Sequence, residues 1–194
     1  MCRFIESICC VDGEPLNLNL HQERIDKTCQ QFFSNTSISL EAYLKDIPKS
    51  GKYKARVLYD NASVLSEFIP YVKKNINSLK AVQGDGIDYA FKYEDRAELT
   101  KLFDSRENCD DIIIVKKGLC TDSYFANLAF FDGVHWFTPK KPLLNGVKRQ
   151  RLIQQSKLIE ADIALEAIGT FEKVSLINAM LDLDEVRVPV ERIF

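Results

Sequence analysis

The chain offers few residues for specialised chemistry, and their spacing excludes the commonest catalytic arrangements. His21 and His135 are the only histidines, so neither a His-rich metal site nor a zincin helix can be built. The six cysteines are Cys2, Cys9, Cys10, Cys29, Cys109 and Cys120, without a C-x-x-C pair. Cys9 and Cys10 are direct neighbours, and neighbours on a strand point to opposite faces, so they cannot clasp one metal from one side. Each cysteine reads as a small buried hydrophobe of a reduced protein. No G-x-x-x-x-G-K-S/T loop, G-x-G-x-x-G turn or G-x-S-x-G elbow occurs. These absences point to a cofactor that carries the electronic chemistry and asks little of specialised side chains.

Pyridoxal phosphate is such a cofactor. It requires a lysine amine to bond to, a carboxylate for its pyridine nitrogen, and an arginine with a helix N-terminus for its phosphate. The sequence offers each part, and their order is informative. Phe4-Ile5-Glu6-Ser7-Ile8 is followed by His21-x-x-Arg24, then by Arg56 in Lys54-Ala55-Arg56-Val57-Leu58, then by Lys92 in Phe91-Lys92-Tyr93-Glu94-Asp95-Arg96. Next come Asp111 to Val115 and the run Leu119-Cys120-Thr121-Asp122-Ser123-Tyr124-Phe125-Ala126-Asn127-Leu128. Thr138-Pro139, Leu144-Asn145-Gly146-Val147-Lys148-Arg149 and Ile177-Asn178-Ala179-Met180 close the set. This succession, from about residue 4 to residue 190, resembles the class IV aminotransferase family. That family includes branched-chain and D-amino-acid aminotransferases and 4-amino-4-deoxychorismate lyase.

The resemblance implies roles residue by residue. Lys92 matches the lysine that holds pyridoxal 5'-phosphate covalently and moves the proton at the substrate carbon. Arg56 matches the phosphate-binding arginine, whose planar fork suits a dianion. Gly146, Val147 and Lys148 match the turn whose backbone N–H groups meet the phosphate as a helix begins. Asn178 and Ala179 match a second stretch on the phosphate side. Asp122 stands where the family usually has a glutamate contacting the pyridine nitrogen, and it is one methylene shorter. Lys148 stands where the family commonly has threonine; it either adds a point charge to the phosphate or faces solvent. His21 and Arg24, at i and i+3, share a helix face and read as architectural, tying the helix to the sheet. Within the family, Ile177-Asn178-Ala179-Met180 looks more like the lyase pattern than the Ser-Gly-Thr of aminotransferases. The reaction implied releases 4-aminobenzoate and pyruvate for folate synthesis, with a functional link to aminodeoxychorismate synthase. An amino acid aminotransferase and a cofactor-binding paralogue without turnover are the alternatives. All three imply a homodimer with the site near the lobe interface.

The elements that must position these residues are those of a mixed α+β protein. Phe4 to Val11, Lys52 to Tyr59 and Ser63 to Val72 read as strands, with a hairpin at Asp12-Gly13 continuing through Leu16 and Leu18. Ile25, Cys29, Phe32 and Phe33 mark an amphipathic helix, and Leu40 to Leu44 a short one. Asp95 to Ser105 and Gly146 to Gln155 read as helices. Ile112 to Val115, Tyr124 to Phe131, Val134 to Phe137, Val174 to Ala179 and Val186 to Val190 read as strands. Phe130-Phe131 and Trp136-Phe137 are candidates for core or dimer interface. The expected architecture is the two-lobed D-amino-acid aminotransferase-like fold with a shortened second lobe. Residues 1–82 form one lobe, and residues 83–194 form the other, carrying most of the cofactor site. The composition, 46% hydrophobic and 28% charged with a net charge of −2, is that of an ordinary globular protein. It shows no basic surplus for nucleic acid. No leader pattern opens the chain and no apolar run approaches the ~20 residues of a membrane span, which predicts a cytoplasmic protein.

Overall fold

A computed structural model describes residues 2–33 and 37–194, which fall into two compact units. One comprises the chain up to Lys73 together with Phe91–Asp95, and the other Lys74–Ala90 with Arg96–Phe194.

The first unit contains β1 (Phe4–Val11), β2 (Glu14–Pro15), α1 (Leu18–Phe32), β3 (Lys52–Tyr59) and β4 (Val64–Pro70). The strands form an antiparallel sheet in the order β2-β1-β3-β4. Period-two alternation turns Phe4, Glu6, Ile8 and Cys10 of β1 and Ala55, Val57 and Tyr59 of β3 inward. Ile25, Cys29 and Phe33 join this core, with the aromatic rings of Phe4 and Tyr59 5.8 Å apart. Asp12 and Gly13 both have positive φ, as a tight hairpin turn demands. The hairpin is shorter than the sequence predicts. Asn17 adopts a left-handed conformation, and α1 begins at Leu18 instead of continuing the strand.

The second unit contains β5 (Leu79–Gln83), α2 (Ala97–Asp104), β6 (Asp111–Lys116), β7 (Leu119–Cys120), β8 (Asn127–Phe131), β9 (Trp136–Pro139), α3 (Val147–Gln154), β10 (Ile159–Ala161), β11 (Lys173–Ile177) and β12 (Arg187–Pro189). One sheet has the order β5-β6-β7 and the other β10-β9-β8-β11-β12. Ile112 to Val115 of β6 are wholly buried, the signature of a strand covered on both faces. Leu152 of α3 packs on Ala129 of β8 and Ile177 of β11. Phe130 is core, while the tilted rings of Phe131 and Trp136 lie 4.8 Å apart beneath the Lys173 ammonium.

The division differs in two places from that expected at residue 82. β5 pairs with β6, which draws residues 74–82 into the second unit. Phe91–Asp95 lies along β1, where Ile5 N donates to Lys92 O (2.9 Å) and Glu94 N to Arg3 O (2.9 Å). Among the described residues no helix is long and apolar enough to cross a membrane, and no cluster of three potential metal ligands occurs.

Candidate active site

In the first unit the strand pattern places an acid in the core. Glu6 lies on the inward face of β1, fully buried, and α1 supplies its partners from one helical face. Its carboxylate meets His21 Nδ1 at 2.7 Å and accepts from Arg24 Nε at 2.7 Å and Nη2 at 2.6 Å. Burial pushes the Glu6 carboxyl up, but the Arg24 charge and the hydrogen bonds from His21 and Arg24 outweigh it and hold the group at about 2. Burial keeps His21 below its ordinary value, with Lys92 among the nearby positive charges. The architectural role expected of His21 and Arg24 is therefore carried out through Glu6.

That cluster lies beside the Lys92 segment, whose backbone is bonded to Ile5, the residue before Glu6. Arg56 occupies the other face of the same sheet, opposite Ser7 on β1 and Glu67 on β4. Its Nη1 meets Glu67 at 3.1 Å and its Nη2 meets Glu94 at 3.4 Å, so Arg56 and the Lys92 segment are brought together through Glu94. Arg56 is partly exposed, and its pair with Glu94 is the longer of the two. Such partly exposed pairs are worth little to stability.

In the second unit, Asp122, Asn127, Leu144 and Gly146 form one assembly. Asp122 Oδ1 accepts from Asn127 Nδ2 (2.7 Å), and Oδ2 accepts from Leu144 N (2.8 Å). Burial pushes the Asp122 carboxyl up to about 6, against the hydrogen bonds from Leu144 and Asn127 and the more distant Arg149 charge. Gly146 is the N-cap of α3, with ordinary φ of −67°. It is required for space: a Cβ there would lie 2.0 Å from Asn127 Oδ1. Val147 is buried in the first turn of α3. Lys148, for which the resemblance left open a phosphate contact or a solvent-facing position, has a largely buried side chain that is ion-paired with Asp182.

Asn178 caps a tight turn, its Oδ1 accepting from Met180 N (2.8 Å) and Leu181 N (3.1 Å), with Ala179 between. Its Nδ2 donates to Phe125 O (3.3 Å), which ties this turn to the loop between Asp122 and Asn127. The same loop is held at Tyr124, whose N–H donates to Asp111 Oδ1 (3.3 Å) and whose ring lies under the Arg96 guanidinium at 4.2 Å. Asp111 is itself buried and raised to about 6 by that burial. A cavity of about 490 Å³ lies in this unit, lined by Ile87, Tyr89, Lys116, Thr121, Leu143 and Ile163 among others. Its walls thus include the immediate neighbours of Asp122 and Leu144.

Sequence reasoning did not single out Asn127, Asp182 or Glu94. Asn127 lay within a quoted motif, and the glycine at 146 was the signal that something presses close there.

The family model for amino-transferase class IV matches residues 96–188. An uncharacterised protein of Haemophilus influenzae is 32% identical over 182 residues, covering 91% of this chain and 97% of its own. The chain belongs to the class IV aminotransferase family. A crystal structure of a candidate 4-amino-4-deoxychorismate lyase from Haemophilus somnus is 31% identical with a TM-score of 0.88, covering 94% of this chain and 98% of that one. A hypothetical aminotransferase from Mycobacterium tuberculosis in its PLP-bound form shares the fold at 13% identity, with a TM-score of 0.79 and coverage of 98% and 81%. The family is one of pyridoxal-phosphate-dependent enzymes, as the motif order implies, and the two-lobed α+β expectation for the fold is met.

Each unit, taken by itself, carries residues whose chemistry would suit that cofactor. In the first unit Lys92 would offer an amine and Arg56 a planar fork, paired among the described residues with Glu67 and Glu94. Asp122 supplies a buried acid bonded to neutral donors, and Gly146 a helix entrance that a Cβ would fill.

Proposed function

We propose that this protein is a pyridoxal-phosphate-dependent 4-amino-4-deoxychorismate lyase that releases 4-aminobenzoate and pyruvate. The observation that carries the lyase reading is the likeness, over nearly the whole of both chains, to the Haemophilus somnus protein named for that activity. The Asn178-Ala179-Met180 turn supports it from within the sequence. In this reading Lys92 bonds to the cofactor and Arg56 binds its phosphate. The backbone of Gly146, Val147 and Lys148 and the Asn178–Ala179 turn also serve the phosphate. Asp122 keeps the pyridine nitrogen protonated.

When bound, the cofactor supplies a sink for the electron pair of the bond being broken. The Lys92 amine would take the proton from the ring carbon that bears nitrogen. The enolpyruvyl oxygen then leaves the ring, which becomes aromatic, and the enol takes up a proton to become pyruvate. Aromatisation drives this step, so the protein's contribution is chiefly orientation of the breaking bond. The reading further places the protein in the cytoplasm as a homodimer acting after a synthase that makes its substrate.

The test is 4-aminobenzoate fluorescence from purified protein given pyridoxal phosphate and aminodeoxychorismate freshly made by a synthase. Product above a Lys92→Ala control supports the lyase. A flat trace from protein carrying bound cofactor overturns it, and amino transfer from small amino acids to a 2-oxo acid is then the assay to run. Loss of the borohydride-reducible chromophore in Lys92→Ala is expected in either case.

A further inference from the structure

We propose that Asn127 is a positioning residue, one that fixes the direction of the Asp122 carboxylate and locks it to the entrance of α3. The inference rests on the reading of Asp122 as the cofactor's acidic anchor.

Three residues close a small ring of hydrogen bonds. Asn127 Nδ2 donates to Asp122 Oδ1 at 2.7 Å and to Leu144 O at 2.8 Å, while Leu144 N donates to Asp122 Oδ2 at 2.8 Å. Leu144 is thereby held at both its N–H and its C=O, and neither oxygen of Asp122 can turn without losing a partner. The amide has only one workable orientation. An ionised carboxylate and a backbone carbonyl both accept only, so the NH2 end of Asn127 must face them. Its oxygen is left against Gly146, where a Cβ would sit 2.0 Å away. Glycine at 146 is thus a requirement of the Asn127 amide rather than of the backbone, whose φ is ordinary.

Both Asp122 and Asn127 are buried, and they face each other across an antiparallel bridge. The charged group acting on Asp122 from α3 is Arg149, whose own Nη2 is engaged by Pro139 O and by Glu160 of β10. Among the described residues the direct partners of Asp122 are neutral donors, backbone N–H groups of Leu143 and Leu144 and the side chain of Asn127. A shorter acid than the family's usual glutamate has less reach, which makes its direction matter more.

The experiment reads Asp122 itself. In cofactor-free protein the carboxyl is titrated by carbon-13 NMR, with Asp122→Asn used for assignment only. Asn127→Ala removes a hydrogen bond that favours the charged form, so the midpoint rises by about one to two pKa units. Gly146→Ala drives the amide away without altering either partner and shifts the midpoint in the same direction. Asn127→Ser serves if the alanine variant does not fold. In holoprotein, affinity for pyridoxal phosphate, read by fluorescence quenching, falls about 10- to 100-fold in the same variants while Lys92 still forms its reducible adduct. An unmoved Asp122 midpoint in Asn127→Ala or Asn127→Ser overturns the proposal. Wild-type protein that binds no pyridoxal phosphate overturns the cofactor reading instead, and the titration still decides the role of Asn127.

Discussion

Glutamine in place of Glu6 is the sharpest test of how the first unit is held together. The Glu6 carboxylate is fully buried and takes three short contacts, 2.7 Å to His21 Nδ1, 2.7 Å to Arg24 Nε and 2.6 Å to Arg24 Nη2. His21 is equally buried, and the Arg24 side chain is 13% exposed. Depression from the ordinary 4.5 to about 2 makes the ionised acid worth about 3 kcal/mol to the folded state. A depressed acid gives stability that is fully present above 4.5 and drains away as pH falls toward 2. The Glu6→Gln variant keeps the shape but leaves Arg24 without its counter-charge and turns a donor toward donors. Breaking one side of such a pair costs about 3–5 kcal/mol.

Urea denaturation at pH 7 should therefore show a loss of that size, and the wild-type acid limb between pH 5 and pH 2 should flatten in the variant. Because Ile5 N bonds to Lys92 O beside the cluster, hydrogen exchange at the Ile5 amide should also quicken. A loss below about 1 kcal/mol, the range of ordinary surface substitutions, together with an unchanged acid limb, would refute the reasoning.

Two further outcomes follow from burial and pairing. Of the six cysteines, Cys2 is exposed and Cys109 partly so, while burial raises Cys10 to about 11 and Cys120 to about 12; native protein should label rapidly with a thiol reagent at Cys2, slowly at Cys109, and at the other four only on unfolding. Lys148→Met should change stability by less than about 1 kcal/mol, since Asp182 is largely exposed, yet weaken pyridoxal phosphate binding about tenfold if the ammonium also serves the phosphate. Equal affinity in the variant would leave Lys148 as a clasp between α3 and the Asn178 turn.

Local pattern carried much of this fold. The alternation in β1, the Asp12-Gly13 turn and the helix after Gly146 were legible because each has a residue type that its geometry demands. The start of α1 was not: Leu16, Asn17, Leu18 and Asn19 alternate like a strand, and only the left-handed Asn17 diverts the chain. β5 and β10 escaped notice because both are short and pair in parallel with strands distant in sequence. The buried ion cluster was half legible. Its helix pair stood out at i and i+3, but an acid on an inward strand position becomes meaningful only when that pair is brought beside it. The Lys148–Asp182 pair was not legible for the same reason, since the two residues lie far apart along the chain.

The two anchored acids show how environment separates a structural carboxylate from one able to take a ligand. Both Glu6 and Asp122 are buried, yet their acidities move in opposite directions, to about 2 and about 6. Glu6 has its cation built in, so its charge is neutralised in the folded chain and it has little to offer a newcomer. Asp122 is bonded directly to the Asn127 amide and to backbone N–H groups of Leu143 and Leu144, with the more distant Arg149 offsetting part of its charge. Ionising it therefore costs free energy in the cofactor-free protein, and an incoming cationic group such as a protonated pyridine recovers that cost on binding. On the proposed reading of Asp122 as the cofactor's acidic anchor, a carboxylate held by neutral donors but left short of positive charge suits a cationic ligand. In the second unit Asn127, Leu144 and Gly146 produce that state together.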